Sequence, residues 1–87
     1  MGAIVTDAAL ASRVVALVTR ELNVPAGSVT AATASTDLDE WDSLGHLQIC
    51  MALESEFGIS PELETLAELD SVPAIVDYLE QAGVSSD

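Results

Sequence analysis

The chain has 87 residues, which allows one domain with a single small core and leaves no room for a deep catalytic cleft. Fifteen acidic residues face two basic ones, Arg13 and Arg20, for a formal charge of −13, so nucleic acid and anionic membrane surfaces are poor partners and basic protein surfaces are the natural complement. Hydrophobic residues make up 49% with one Trp, one Tyr and one Phe, and such an aliphatic core favours helices.

In chain order, the spacing of Leu10, Val14, Leu17 and Val18, with Ala11 beside them, predicts a first helix from about Thr6 or Asp7 to Leu22. Arg13 and Arg20 fall off that stripe. Pro25 disfavours helical geometry at Val24 and Gly27 supports a turn, so the segment Asn23 to Ser28 ends the helix. From Ala26 to Asp42 the residues are small, β-branched or acidic without a period, with Val29 and Leu38 as apolar tethers. A loop this long in a compact domain points to function.

A second helix is predicted from Ser43 to Phe57, with Asp42 as its N-cap and Gly58 as the left-handed residue that stops it. It carries two apolar faces: Ile49, Cys50, Leu53 and Phe57, with His46 at the edge, follow the core spacing, whereas Leu44, Leu47 and Met51 follow a separate line. A helix of a small bundle rarely buries both. The second line reads as a partner-facing strip, the competing reading being a crowded core. Ser60 and Pro61 suggest the cap and first residue of a short third helix carrying Leu63 and Leu66. Ser71 caps a fourth, with Pro73 in its first turn, Ile75, Val76, Tyr78 and Leu79 facing inward and Gly83 ending it.

The expected architecture is all-α: a small four-helix bundle of three longer helices and one short one, with a long loop between the first two. It forms one domain over residues 1–87, frayed at about 1–5 and 84–87. No apolar run approaches the roughly 20 residues of a membrane span, and no basic-then-apolar leader opens the chain, so a cytoplasmic protein is expected, and a monomer is expected beside it. Cys50 is the lone cysteine and sits in an apolar helical pattern, which suits a buried small hydrophobe better than a nucleophile.

Three chemistries compete for the acidic stretch and the helix it leads into. Ser43 and His46 are three apart on one helix, but His46 is the only histidine and no opposing wall would enclose the pair and exclude water, so a hydrolase dyad is set aside. Asp37-Leu38-Asp39 begins like a calcium loop, yet the sixth position is Asp42 where Gly is needed and the twelfth is Gln48 where Glu is needed. No Cys/His metal spacing is present, and no metal is expected. What survives is a serine displayed at a helix head for modification by another enzyme, with Asp39, Glu40 and Glu54 able to steer a basic partner towards it. Trp41 packs as a plug or serves a partner as an aromatic anchor.

The run from Asp37 through Asp42-Ser43-Leu44-Gly45-His46-Leu47, continued by Leu53-Glu54-Ser55-Glu56-Phe57 and closed by Ala74-Ile75-Val76-Asp77-Tyr78-Leu79, resembles the acyl carrier protein family over nearly the whole chain. The resemblance implies that Ser43, flanked by Asp42 and Leu44, carries 4′-phosphopantetheine delivered from coenzyme A by a phosphopantetheinyl transferase. It implies a non-catalytic carrier whose acyl cargo rides as a thioester, and partners of acyl-loading, ketosynthase or acyltransferase type. These would dock on Leu44, Leu47, Met51, Glu54, Asp39, Glu40 and Trp41 through basic surfaces. Trp41 and Gly45-His46 depart from the commonest fatty-acid pattern and look more like discrete carriers of polyketide or other specialised bacterial pathways. An aminoacyl or peptidyl carrier and an unmodified acidic interaction domain remain as alternatives.

Overall fold

The computed structural model describes residues 8–84, and the regular elements among them are all helical. They are α1 (Ala8–Leu22), a 3₁₀ turn (Ser35–Asp37), α2 (Ser43–Phe57), α3 (Leu63–Glu68) and α4 (Val72–Gln81). The start expected for α1 at Thr6 or Asp7 lies outside the described residues, as do the expected frayed ends apart from Val84.

Helix α1 buries Leu10, Ala11, Val14, Leu17, Val18 and Leu22, and it packs against both α2 and α4. Its end is set by Asn23 at φ 56°, where a short amide side chain tolerates the left-handed conformation. The N–H of Asn23 donates to the carbonyl of Arg20 at 3.2 Å and that of Val24 to Thr19 at 3.3 Å, a pair of bonds that satisfies the last carbonyls. Val24 then packs against the core. The stop thus falls at Asn23, before Pro25 acts.

Helix α2 has the expected bounds, closed by Gly58 at φ 67° with its N–H on the Glu54 carbonyl at 3.0 Å. Ile49, Cys50 and Leu53 are buried in it. Helix α4 is capped by the Ser71 hydroxyl, which accepts from the Ala74 N–H at 3.1 Å. Past its C-cap Ala82 comes Gly83 at φ 82°, after which the N–H of Val84 donates to the Leu79 carbonyl at 2.9 Å. Val84 packs on the core.

The start of α3 also differs from expectation. Ser60 and Pro61 do not open it; Glu62 is the N-cap, in extended geometry and without a side-chain cap bond. Ile59 packs against the core and Pro61 is half-buried, so the segment after α2 spans extended towards α3 and the turn begins only at Leu63. Tertiary packing overrides the local cap signal here.

The long α1–α2 connection is fastened at several points. Val29 is buried, Leu38 packs on the core and the buried Thr33 hydroxyl accepts from the Thr30 N–H at 2.8 Å. Ala34 and Ser71 form an isolated antiparallel bridge, in which the Ser35 N–H donates to the Asp70 carbonyl and the Val72 N–H to the Thr33 carbonyl, both at 2.8 Å. Asp37 turns the chain by accepting the Ala34 N–H on its carboxylate at 2.9 Å. The loop is tied to the α3–α4 connection, and it delivers Asp42 to the head of α2.

Candidate functional site

The site begins with a cap. Asp42 is extended, its carboxylate accepts the Gly45 N–H at 2.9 Å and its carbonyl accepts the His46 N–H at 2.8 Å. Gly45 permits the approach: a Cβ there would run into the Glu40 carbonyl and the Leu22 side chain. The acidic turn therefore lies against α2 and α1 at a distance only glycine allows. Ser43 follows as the first residue of α2, exposed, and no described residue bonds its hydroxyl.

His46, one turn further, is engaged at both ring nitrogens. The buried Trp41 indole N–H donates to its Nδ1 at 3.0 Å, and its Nε2 lies 2.8 Å from the Leu66 carbonyl. An indole N–H can only donate and a carbonyl can only accept, so these bonds select the neutral ring protonated at Nε2. The two rings stack with centroids 6.4 Å apart. No nitrogen is left to act as a base on Ser43, which removes the dyad on geometric grounds.

Of the residues expected to face partners, Leu44, Leu47 and Met51 are 64%, 55% and 60% exposed, and they stand on the side of α2 opposite Ile49 and Leu53. Asp39 and Glu40 are exposed and Glu54 is half-buried. Trp41 is the correction: at 5% exposure it belongs to the core and presents no anchor to a docking protein. Its role is the plug, closing the turn over α2.

The structure brings to the site residues that the sequence reading did not place there. Leu63 is 83% exposed on α3. With Leu47, Cys50 and Leu66 it lines a groove of about 310 Å³ that starts at Ser43 and His46. Ser35 and Asp70, distant in sequence, border a cleft of about 470 Å³ with Trp41, Asp42, Ser43 and His46. The signal for Leu63 was weak, because at the three-residue spacing of Leu63 and Leu66 a helix would place both on one face. Cys50 is buried, and burial followed by the nearby Glu54 charge pushes its thiol up. Among the described residues no group of three His, Cys, Asp or Glu side chains is placed to hold a metal ion.

Both basic residues are committed to the far end of α2. Arg20 contacts Glu56 at 3.1 Å and Glu21 at 3.0 Å; Arg13 lies 3.7 Å from Glu56 and 4.5 Å from the Phe57 ring centre. Glu56 is thirteen residues past Ser43, about 20 Å along the helix, so neither arginine offsets the carboxylates around the serine. Exposed charges are screened over about 10 Å at 0.1 M ionic strength. The melting temperature should accordingly rise by several degrees between low and moderate salt, and further with divalent cations, in a calorimetric series. A flat response would show the acidic residues to be spaced beyond mutual repulsion.

A fifteen-residue helix capped by Asp42 presents the exposed Ser43 at its head, and the comparisons give the class of protein that displays such a serine. Residues 12–79 match the family described as phosphopantetheine attachment site. The chain therefore belongs to that family, whose members bear phosphopantetheine covalently, catalyse nothing themselves and meet phosphopantetheinyl transferases and biosynthetic enzymes. The fold is similar to the solution NMR structure of a holo acyl carrier protein from Geobacter metallireducens, with 24% identity over 83% of each chain and a TM-score of 0.71. No curated protein matches.

The residues at the head of α2 fit such a group. A phosphodiester there would lie at the positive end of a fifteen-residue helix, where leading N–H groups lack intrahelical acceptors and Asp42 takes only that of Gly45. The neighbouring groove is lined largely by apolar side chains.

Proposed function

We propose that Ser43 is the attachment residue and that the protein is an acyl carrier of a polyketide or fatty-acid-type pathway. The observation that carries the assignment is the placement of Ser43 as the exposed first residue of α2, with its hydroxyl unbonded by any described residue and its backbone held by the Asp42 cap. Asp42 and Leu44 flank it on the two sides. The prosthetic arm supplies a terminal thiol on which an acyl group is held as a thioester; the chain supplies position. Tethering raises the local concentration of the cargo at each enzyme that docks, without new contacts to the cargo itself.

Docking uses Leu44, Leu47 and Met51, exposed in a line beside the serine. Apolar contacts that lose water on association hold such complexes, while surrounding charge sets the rate of encounter. Asp39, Glu40 and Glu54 give that charge, and the partners, the transferase and acyl-loading, ketosynthase or acyltransferase enzymes, are expected to meet it with arginine and lysine. An acyl rather than aminoacyl cargo is supported by the apolar lining of the groove at Ser43.

Intact mass after incubation with coenzyme A and a broad-specificity phosphopantetheinyl transferase tests the reading. One added arm is expected, followed by loading from an acyl-transferring enzyme. Absence of the first gain would leave an unmodified interaction domain, and loading only by an amino-acid-activating enzyme would make the protein an aminoacyl carrier.

A further inference from the structure

Helix α3 is the least secured element of the bundle. It has six residues, none of them buried, and its N-cap Glu62 makes no side-chain cap bond. The close helix pairs are α1 with α2 and α1 with α4, so α3 is not part of either. Among the described residues, one side-chain hydrogen bond reaches it from another helix: His46 Nε2 to the Leu66 carbonyl, at 2.8 Å. The other nitrogen of the same ring is fixed by the buried indole of Trp41, which sits at the end of the acidic turn.

We propose that His46 is a positioning residue, a latch that holds α3 against the Ser43 end of α2 and so sets the width of the groove between Leu47 and Cys50 on one side and Leu63 and Leu66 on the other. The geometry gives the ring two distinct tasks. Trp41 fixes its orientation by donating to Nδ1, and Nε2–H then has one direction in which to donate, towards α3. The latch requires the neutral ring, because a second proton on Nδ1 would face the indole N–H donor to donor. Apart from the ring itself, the titratable groups around it are Asp42 and Asp70 in the cleft and Cys50 in the groove; α3 contributes only Leu63, Leu66 and Ala67 to these walls. Breaking the Nε2 bond leaves α3 held by the half-buried Leu66, by the buried Leu69 at its C-cap and by its chain connections, and the groove opens. That the groove serves the group carried by Ser43 rests on the attachment reading above; the latch itself is a property of the unmodified chain.

The chain carries its own reporter, since Cys50 is the only cysteine, is 4% exposed and lines the groove that α3 covers. Its reaction with an aromatic disulfide reagent, measured on the full unmodified protein at one pH, reads how often α3 lifts. An Asn at position 46 places its amide oxygen near the Nδ1 position and falls short of Leu66, whereas a Gln places an N–H near Nε2. His46→Asn should therefore label about tenfold faster than wild type, the change produced by losing one buried hydrogen bond, and His46→Gln should stay within about twofold. Equal rates in all three proteins, or equal acceleration in both variants at matched denaturant midpoints, would overturn the latch. Should the variants fold poorly, nitrogen NMR of the wild-type ring decides the matter: protonation at Nε2 with a hydrogen-bonded Trp41 indole supports the latch, and protonation at Nδ1 removes it. None of these readouts needs the arm, so a serine that proved unmodified would leave the latch result standing, and the reverse.

Discussion

Ser43→Ala should fold like the wild type, give a superimposable thermal melt, and gain no mass from coenzyme A under conditions that convert the wild type completely. The fold is expected to be indifferent because the exposed hydroxyl bonds to no described residue, and because alanine is a good helix former at the start of α2. The cap resides in Asp42, whose bond to the Gly45 N–H does not involve the serine side chain. The loss of modification should be total, since the first turn of α2 carries no other hydroxyl. Ser55 is exposed later on the same helix and Ser60 lies in the connection after it; mass gain in the alanine variant, mapped by peptide sequencing to either, would move the attachment site.

The largest stability effect should come from Leu53. It is fully buried on the core face of α2, and truncation to alanine should cost about 2–5 kcal/mol through lost burial and the cavity left behind. Met51→Glu, two residues earlier but 60% exposed, should change stability by no more than about 0.5 kcal/mol. Denaturant melts of the two variants separate the faces of the helix. Binding separates the roles: the Met51 variant should dock more weakly on a basic partner even though its added charge strengthens long-range attraction, because a charged group now has to be desolvated at the contact. If both variants melt alike, Met51 is core and the outer strip plays no part in docking.

Local signals proved legible where a single residue's chemistry fixes a helix end. Asp42, Gly58, Ser71 and Gly83 were readable as caps and stops, and α2 and α4 begin and end where those residues put them. The two-faced pattern of α2 was likewise readable, since Ile49 and Leu53 fall on one periodic line and Leu44, Leu47 and Met51 on another. The start of α3 was not, because Ser60-Pro61 makes a sound local cap while Ile59 is drawn to a core assembled from distant residues. The end of α1 at Leu22 was readable, but the part played by Asn23 was not: Asn in the left-handed region is a tolerated choice rather than a demanded one, and Pro25 nearby gives a louder signal. Around the serine, the Asp42 cap and the place of Ser43 at the helix head were readable from their order. The bonds of His46 to Trp41 and Leu66 were not, because a partner twenty residues away leaves no periodic trace.

The bridge between Ala34 and Ser71 bears on how the serine's surroundings hold together in time. The Val72 N–H is one of the leading donors of α4, and its acceptor is the Thr33 carbonyl in the connection that ends at Asp42. The first turn of the last helix and the approach to the first residue of the second therefore complete one another, and neither is fully satisfied until the other has formed. Local opening at the start of α4 would release the chain leading to Ser43, although the two lie some thirty residues apart in sequence. Such a pair belongs to one cooperative unit, in which the start of the last helix sets how steadily the serine is offered.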